Sequence, residues 1–207
     1  MRSLVVLPLA LVCSGCTSVN HYASPVIAPP RTYSVVAAFE ATEVVRTKRA
    51  APFDDAKTTT RTLVLYPALI GRIGLTRRLE LGGAAHPGRV GVEAKIGVVT
   101  DGAVRVSVLA APALQGGAFV GDVPVLVGLR VHDRLELVVS PGVAYARPVV
   151  ERSQGYPSGV LARGGIAAIV YVVPSFALVP EVSASTALVG DTPLWATAGL
   201  GLRGDIQ

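Results

Sequence analysis

The feature that most constrains this chain is an apolar residue at every second position, in runs broken by polar or Gly/Pro-rich turns. A two-residue period is the mark of strands with one apolar and one polar face. In segment 90–99, Val90, Val92, Ala94, Ile96 and Val98 alternate with Gly91, Glu93, Lys95 and Gly97. In segment 193–203, Leu194, Ala196, Ala198, Leu200 and Leu202 alternate with Trp195, Thr197, Gly199 and Gly201. Segments 176–187 and 134–147 repeat the pattern, with Glu181, Ser183 and Ser185 on one polar set and Arg134, Glu136 and Ser140 on the other. Segment 164–180 is apolar enough to suggest a helix. Gly164-Gly165, Pro174-Ser175, Pro180 and its β-branched residues make it a hairpin.

The alternation predicts strands at 33–46, 62–75, 78–86, 90–99, 103–113, 123–131, 134–147, 159–172, 176–187 and 193–203. Tight turns are expected at Thr76-Arg77, Thr100-Asp101-Gly102, His132-Asp133 and Val173-Pro174-Ser175. Longer connections are expected among 47–61, 86–89, 114–122, 148–158 and 188–192. The two kinds alternate along the chain, which is the order of an up-and-down meander. A weak repeat agrees: Gly74-Leu75-Thr76-Arg77-Arg78-Leu79-Glu80-Leu81 returns as Leu129-Arg130-Val131-His132-Asp133-Arg134-Leu135-Glu136-Leu137. The expected fold is therefore all-β, an antiparallel up-and-down β-barrel of about ten strands, with eight as the smaller alternative.

This series of hairpins, from about Thr62 to Asp205, resembles the small outer-membrane β-barrel proteins of Gram-negative bacteria. The resemblance implies short turns on the periplasmic side, longer loops outside, and strands long enough to cross a bilayer at a tilt. Mean hydropathy is +0.53 with 16% charged residues, which suits a lipid-facing exterior. Tyr33, Tyr66, Tyr145, Tyr171 and Phe176 fall near strand ends, where interfacial aromatics belong. The polar sets pool to Arg72, Glu80, Glu93, Lys95, Arg105, Arg130, Glu136, Arg163 and Glu181. Five are basic and four acidic, so they are expected to form a paired network inside a narrow barrel. Unpaired, each would cost several kcal/mol. A polar pore or substrate-binding lumen is the functional reading of the same set.

The first residues read as an export signal: Met1-Arg2, a short apolar run from Leu4 to Val12, then Cys13-Ser14-Gly15-Cys16. Small residues directly before a cysteine resemble the lipobox of bacterial lipoproteins, and Cys16 matches the acylated position. The resemblance implies that residues 1–15 are removed and that Cys16 carries the lipid. Thr17 and Ser18, with no Asp after the cysteine, imply outer-membrane sorting. Diacyl anchoring holds stably where one chain would not. Residues 16–32, with Pro25, Pro29 and Pro30, read as an acylated N-terminus and flexible tether, and residues 33–205 as the barrel domain. With the lipid on the periplasmic leaflet, both chain ends are expected on that side.

Chemistry is sparse. His21, His86 and His132 are far apart and lack metal-ligand spacing. Asp54, Asp55, Asp122, Glu151 and Asp191 are dispersed, so no catalysis, metal or cofactor is expected. Gly199 to Gly204 matches G-x-G-x-x-G, but it sits in a strand with no helix after it, where glycine relieves crowding. A net charge of +5 and pI of about 9.6 invite a nucleic-acid partner. The basic residues are scattered without interleaved aromatics, so none is expected. The expected partners are outer-membrane lipid and, through Arg46, Lys48, Arg49 and Lys57 of the basic 46–57 loop, lipopolysaccharide. The functional expectation is a structural, small-solute binding or transport role. The alternative is a periplasm-facing lipoprotein with a soluble lipocalin-like barrel around an apolar ligand. The two differ in whether the Leu/Val set or the charged set faces inward.

Overall fold

The computed structural model describes residues 20–49, 57–149, 159–188 and 194–206. Its strands are β1 (Tyr33–Arg49), β2 (Lys57–Gly74), β3 (Leu79–His86), β4 (Arg89–Val99), β5 (Val104–Gln115), β6 (Ala118–His132), β7 (Leu135–Val139), β8 (Gly142–Pro148), β9 (Gly159–Val173), β10 (Phe176–Ala187) and β11 (Leu194–Ile206). Neighbours pair antiparallel in chain order, and β11 closes on β1, with Tyr33 opposite Ile206 and Val45 opposite Leu194. β7 and β8 lie end to end between β6 and β9 and form one interrupted stave. The result is a closed antiparallel barrel of ten staves, with no helix among the described residues.

The interruption falls at Ser140-Pro141. Proline has no N–H to give the ladder. The flanking groups stay paired: Ser140 N donates to Gly165 O at 2.9 Å and Pro141 O accepts from Val125 N at 2.8 Å.

The connections depart from expectation. Residues 86–89 and 114–122 are not longer loops. Pro87-Gly88 joins β3 to β4 with Gly88 at φ 79°, and Gly116-Gly117 joins β5 to β6 with φ 53° and 82°. Two left-handed residues in succession give a turn whose twist matches that of the strands, so Gly-Gly tightens the hairpin instead of loosening it. β1 and β2 likewise run into the expected 47–61 loop, pairing as far as Arg49 opposite Lys57. Most of 148–158 and 188–192 lies outside the described residues.

Parity sorts the faces. Phe39, Val92 and Ile166 are 72%, 63% and 66% exposed on the outer wall, and Val90, Ile96, Leu137 and Leu200 are exposed with them. Glu93, Lys95, Glu136 and Glu181 are buried on the inner wall. β1 also separates: Ser34, Val36, Ala38, Glu40 and Thr42 face in, while Val35 and Phe39 face out. A soluble barrel with an apolar ligand chamber needs the opposite orientation. The interior is not wholly polar, since Ile70, Leu109, Leu126, Val138, Ile169 and Val179 form a buried inner cluster.

The tether expectation for residues 16–32 is overturned across its described part. Asn20, His21, Tyr22, Ala23, Ser24 and Ala28 are all buried, and Tyr22 and Ala23 belong to the inner cluster. This segment runs inside the barrel. It turns at Pro29–Thr32, where Thr32 N donates to Pro29 O at 3.0 Å and Arg31 takes φ 68°. Arg31 N then donates to Gly74 O at 2.9 Å, tying the turn to the short-turn rim before β1 begins.

Candidate functional site: the filled lumen

A chain without regular structure inside a barrel leaves its backbone donors and acceptors unpaired, and such groups must find partners. Here the charged inner-wall residues supply them. Glu181 accepts from His21 N at 3.0 Å and from Tyr22 N at 2.6 Å. Glu80 accepts from Ala28 N at 2.9 Å. Lys95 Nζ donates to Ser24 O at 3.0 Å and Val26 O at 2.9 Å. Arg72 Nη2 donates to His21 O at 2.6 Å. Pro25 lacks an amide hydrogen and adds no donor to be satisfied.

The side chains of the segment are held too. Ser24 Oγ donates to Glu136 Oε2 at 2.7 Å, and Ser183 Oγ donates to the side-chain carbonyl of Asn20. The His21 ring stands between two carboxylates, 3.3 Å from Glu93 Oε1 and 2.9 Å from Asp122 Oδ2. Arg163 donates to Asp122 on one side, and Arg72 Nε donates to Glu93 Oε2 at 2.8 Å on the other. The chain Arg72–Glu93–His21–Asp122–Arg163 thus crosses the lumen. A second pair, Lys95 Nζ to Glu80 Oε1 at 2.8 Å, lies nearer the short-turn end.

Of the nine residues singled out from sequence, the structure brings Arg72, Glu80, Glu93, Lys95, Glu136, Arg163 and Glu181 onto this segment or into its ion pairs. Arg105 and Arg130 stand apart. Arg130 is at the rim, 3.4 Å from the exposed Asp133, and Arg105 Nε is buried without a hydrogen-bond partner. The parity argument supposed pairing across the lumen between wall residues, whereas much of the pairing goes to the filament of residues 20–28, which parity does not see. Asp122 and His21, read as dispersed and as tether, are central members.

Glycines make the room. A Cβ on Gly199 would run into the Tyr22 hydroxyl, and one on Gly201 would lie 2.9 Å from Tyr22 Cδ1. A Cβ on Gly128 would strike Pro25. The relief of crowding expected at Gly199 and Gly201 is therefore relief for the filament. Towards the other mouth, Thr42 Oγ1 lies 2.7 Å from Tyr66 Oη and 2.9 Å from Thr197 Oγ1, and His86 Nδ1 is 3.4 Å from Glu40. Among the described residues no group of His, Cys, Asp and Glu forms a metal site. His132 sits in an exposed turn, its Nδ1 3.3 Å from Arg134 N. Cys16 and the side chains of Arg46, Lys48, Arg49 and Lys57 lie outside the described residues, as do Asp54, Asp55, Glu151 and Asp191.

The translocator domain of the autotransporter NalP from Neisseria meningitidis superposes with a TM-score of 0.56 at 9% identity, over 86% of this chain and 90% of that one. The outer membrane protease OmpT from Escherichia coli gives 0.50 at 8% identity, over 90% of this chain and all of that one (100%). These likenesses show a shared barrel fold. No protein-family model and no curated protein matches the chain.

Proposed function

We propose that this chain is a non-catalytic outer-membrane β-barrel, closed by its own N-terminal segment and lipid-anchored at Cys16. The observation that carries the reading is an apolar outer wall on staves around the whole barrel, enclosing a charged lumen that residues 20–28 fill. Exposed apolar surface on this scale belongs against hydrocarbon, and a closed barrel leaves no unpaired edge there. The filled lumen favours a structural or solute-binding role over free diffusion through the wall. The side chains of His21 and His86 are buried, His21 between two carboxylates and His86 beside Glu40.

The filament sets a condition on the lipid. Asn20 meets Ser183, seven residues up β10 from Phe176, or about 18 Å above the short-turn rim at a usual strand tilt. Cys16 precedes Asn20 by four residues, a reach of about 14 Å at most. A lipid on Cys16 and a seated filament are therefore compatible through the long-loop mouth. A lipid on the short-turn side requires the filament to leave the lumen.

The test uses the purified full chain in vesicles and planar bilayers. The folded protein is expected to migrate differently unboiled and boiled, and to pass no steady current. Replacing residues 20–28 with a Gly/Ser stretch is expected to keep the mobility shift and open a conductance. An unshifted protein that stays in buffer without lipid would sink the membrane reading. A conducting native chain, or a silent replacement that is still folded, would sink the closure.

A further inference from the structure

The filament fills the lumen unevenly. Its Pro29–Thr32 turn lies against β2, and on the opposite wall the short-turn mouth opens into a cavity of about 600 Å³. β5, β6, β7 and β9 form that wall. Arg105 on β5 pairs with Gly128 on β6, and Arg130 on β6 pairs with Glu136 on β7. Val26 of the filament, Val172 at the end of β9 and Pro174 of the β9–β10 turn supply apolar lining, with the half-buried Tyr171 beside them.

Three cations line this cavity, Arg105, Arg130 and Arg134, against two carboxylates, Asp133 and Glu136. Arg130 lies 3.4 Å from Asp133, and Glu136 accepts from Ser24 through Oε2 while its Oε1 is buried without a hydrogen-bond partner. Arg105 differs. It is half-buried, and its Nε is buried without a hydrogen-bond partner among the described residues. Opposite it in register is Gly128, over which Pro25 and Glu136 Oε1 lie. A buried guanidinium donor without an acceptor is costly, and the three guanidinium groups against two carboxylates leave this vestibule one positive charge in excess. We propose that this vestibule binds a small amphipathic monoanion. Its carboxylate, sulfonate or phosphodiester head accepts from Arg105, with Arg134 at the rim, and its apolar body lies along Val26, Tyr171 and Val172. Guanidinium pairs two-pronged with the oxygens of carboxylates and tetrahedral oxyanions alike, and an apolar pocket with few fixed polar groups is the usual form of a small-ligand site. The site does not depend on the membrane reading, which decides only the compartment from which the ligand comes.

The experiment titrates the full chain in nanodiscs of zwitterionic lipid with 3-phenylpropionate, its amide and 3-phenylpropylamine, followed by calorimetry. Saturable one-to-one binding of the acid is expected, about ten-fold or more tighter than either analogue. Arg105→Gln is expected to weaken the acid by a similar factor. Arg147→Gln, an exposed charge near the other mouth, is expected to leave it unchanged. Equal binding of the three probes, or no saturable binding of the acid, overturns the proposal without any variant. Undiminished binding by a folded Arg105→Gln protein overturns the role given to that guanidinium. An equal loss in Arg147→Gln would reduce the effect to general charge attraction and overturn the site. Native conductance would sink the closure proposed above while leaving these outcomes readable.

Discussion

Glu181 is the residue whose loss should speak most clearly. Its two oxygens hold consecutive amides, His21 N and Tyr22 N, deep in the lumen. Glu181→Ala strands both, at about 1–3 kcal/mol each. Glu181→Gln retains one acceptor and is expected to lose less. The readout is maleimide labelling of a cysteine placed at Ser24 in a Cys13→Ser, Cys16→Ser background, as a function of urea. The labelling midpoint should fall in the order native, Gln, Ala while the barrel's own mobility shift persists. Unchanged midpoints would mean that the carboxylate is incidental to seating. Gly199 provides the steric counterpart. A methyl group there meets the Tyr22 hydroxyl and backbone that cannot retreat, so Gly199→Ala is expected to expose Ser24→Cys without denaturant. Protection equal to that of the native glycine would refute this fit.

At the scale of elements, the staves were legible because each carries its own instructions. Val90 to Val98 alternates over a complete crossing, and Asp101-Gly102 or Pro174-Ser175 marks where the chain turns. The misread turns, Pro87-Gly88 and Gly116-Gly117, failed for a local reason: glycine signals both slack and the tightest hairpins, and only the register tells them apart. The filament was illegible for a different reason. Residues 20–32 have no period, and an extended Pro-containing segment looks the same in water and in a lumen. Its partners are one or two residues on each of several staves, so no window of sequence contains the interaction. What could have announced it is an inward set with near-balanced charge together with inward glycines at Gly97, Gly128, Gly199 and Gly201, a wall both charged and hollowed. The β7–β8 stave gives a prediction of its own. Because Ser140 N and Pro141 O keep partners, Pro141→Ala should change stability by less than about 1 kcal/mol in urea unfolding from vesicles. A loss of several kcal/mol would show that the kink itself is required.

For the whole molecule, the outer wall and the lumen make opposite demands on charge. Val92→Arg puts a cation on the exposed face and is expected to cost about 2–4 kcal/mol if that position lies near the bilayer midplane, with Val92→Ala far milder. Urea titration of vesicle-folded protein measures both, and tolerance of arginine there would contradict a lipid-facing wall. The lipid condition is also testable at this scale. If Cys16 is acylated with the filament seated, Thr17→Cys should react with an impermeant maleimide on intact cells. Reaction only after the outer membrane is breached would place the anchor on the inner side and the filament outside its lumen. The last consequence concerns assembly. The barrel is sealed along a single seam, where the first strand meets the last, and the filament is covalently continuous with that first strand through a turn bonded to Gly74. The nascent sheet can therefore receive its occupant sideways, as a thread laid in an open gutter, and zip β11 to β1 over it. Nothing has to be pulled through a finished tube, and the order of events is written into the connectivity.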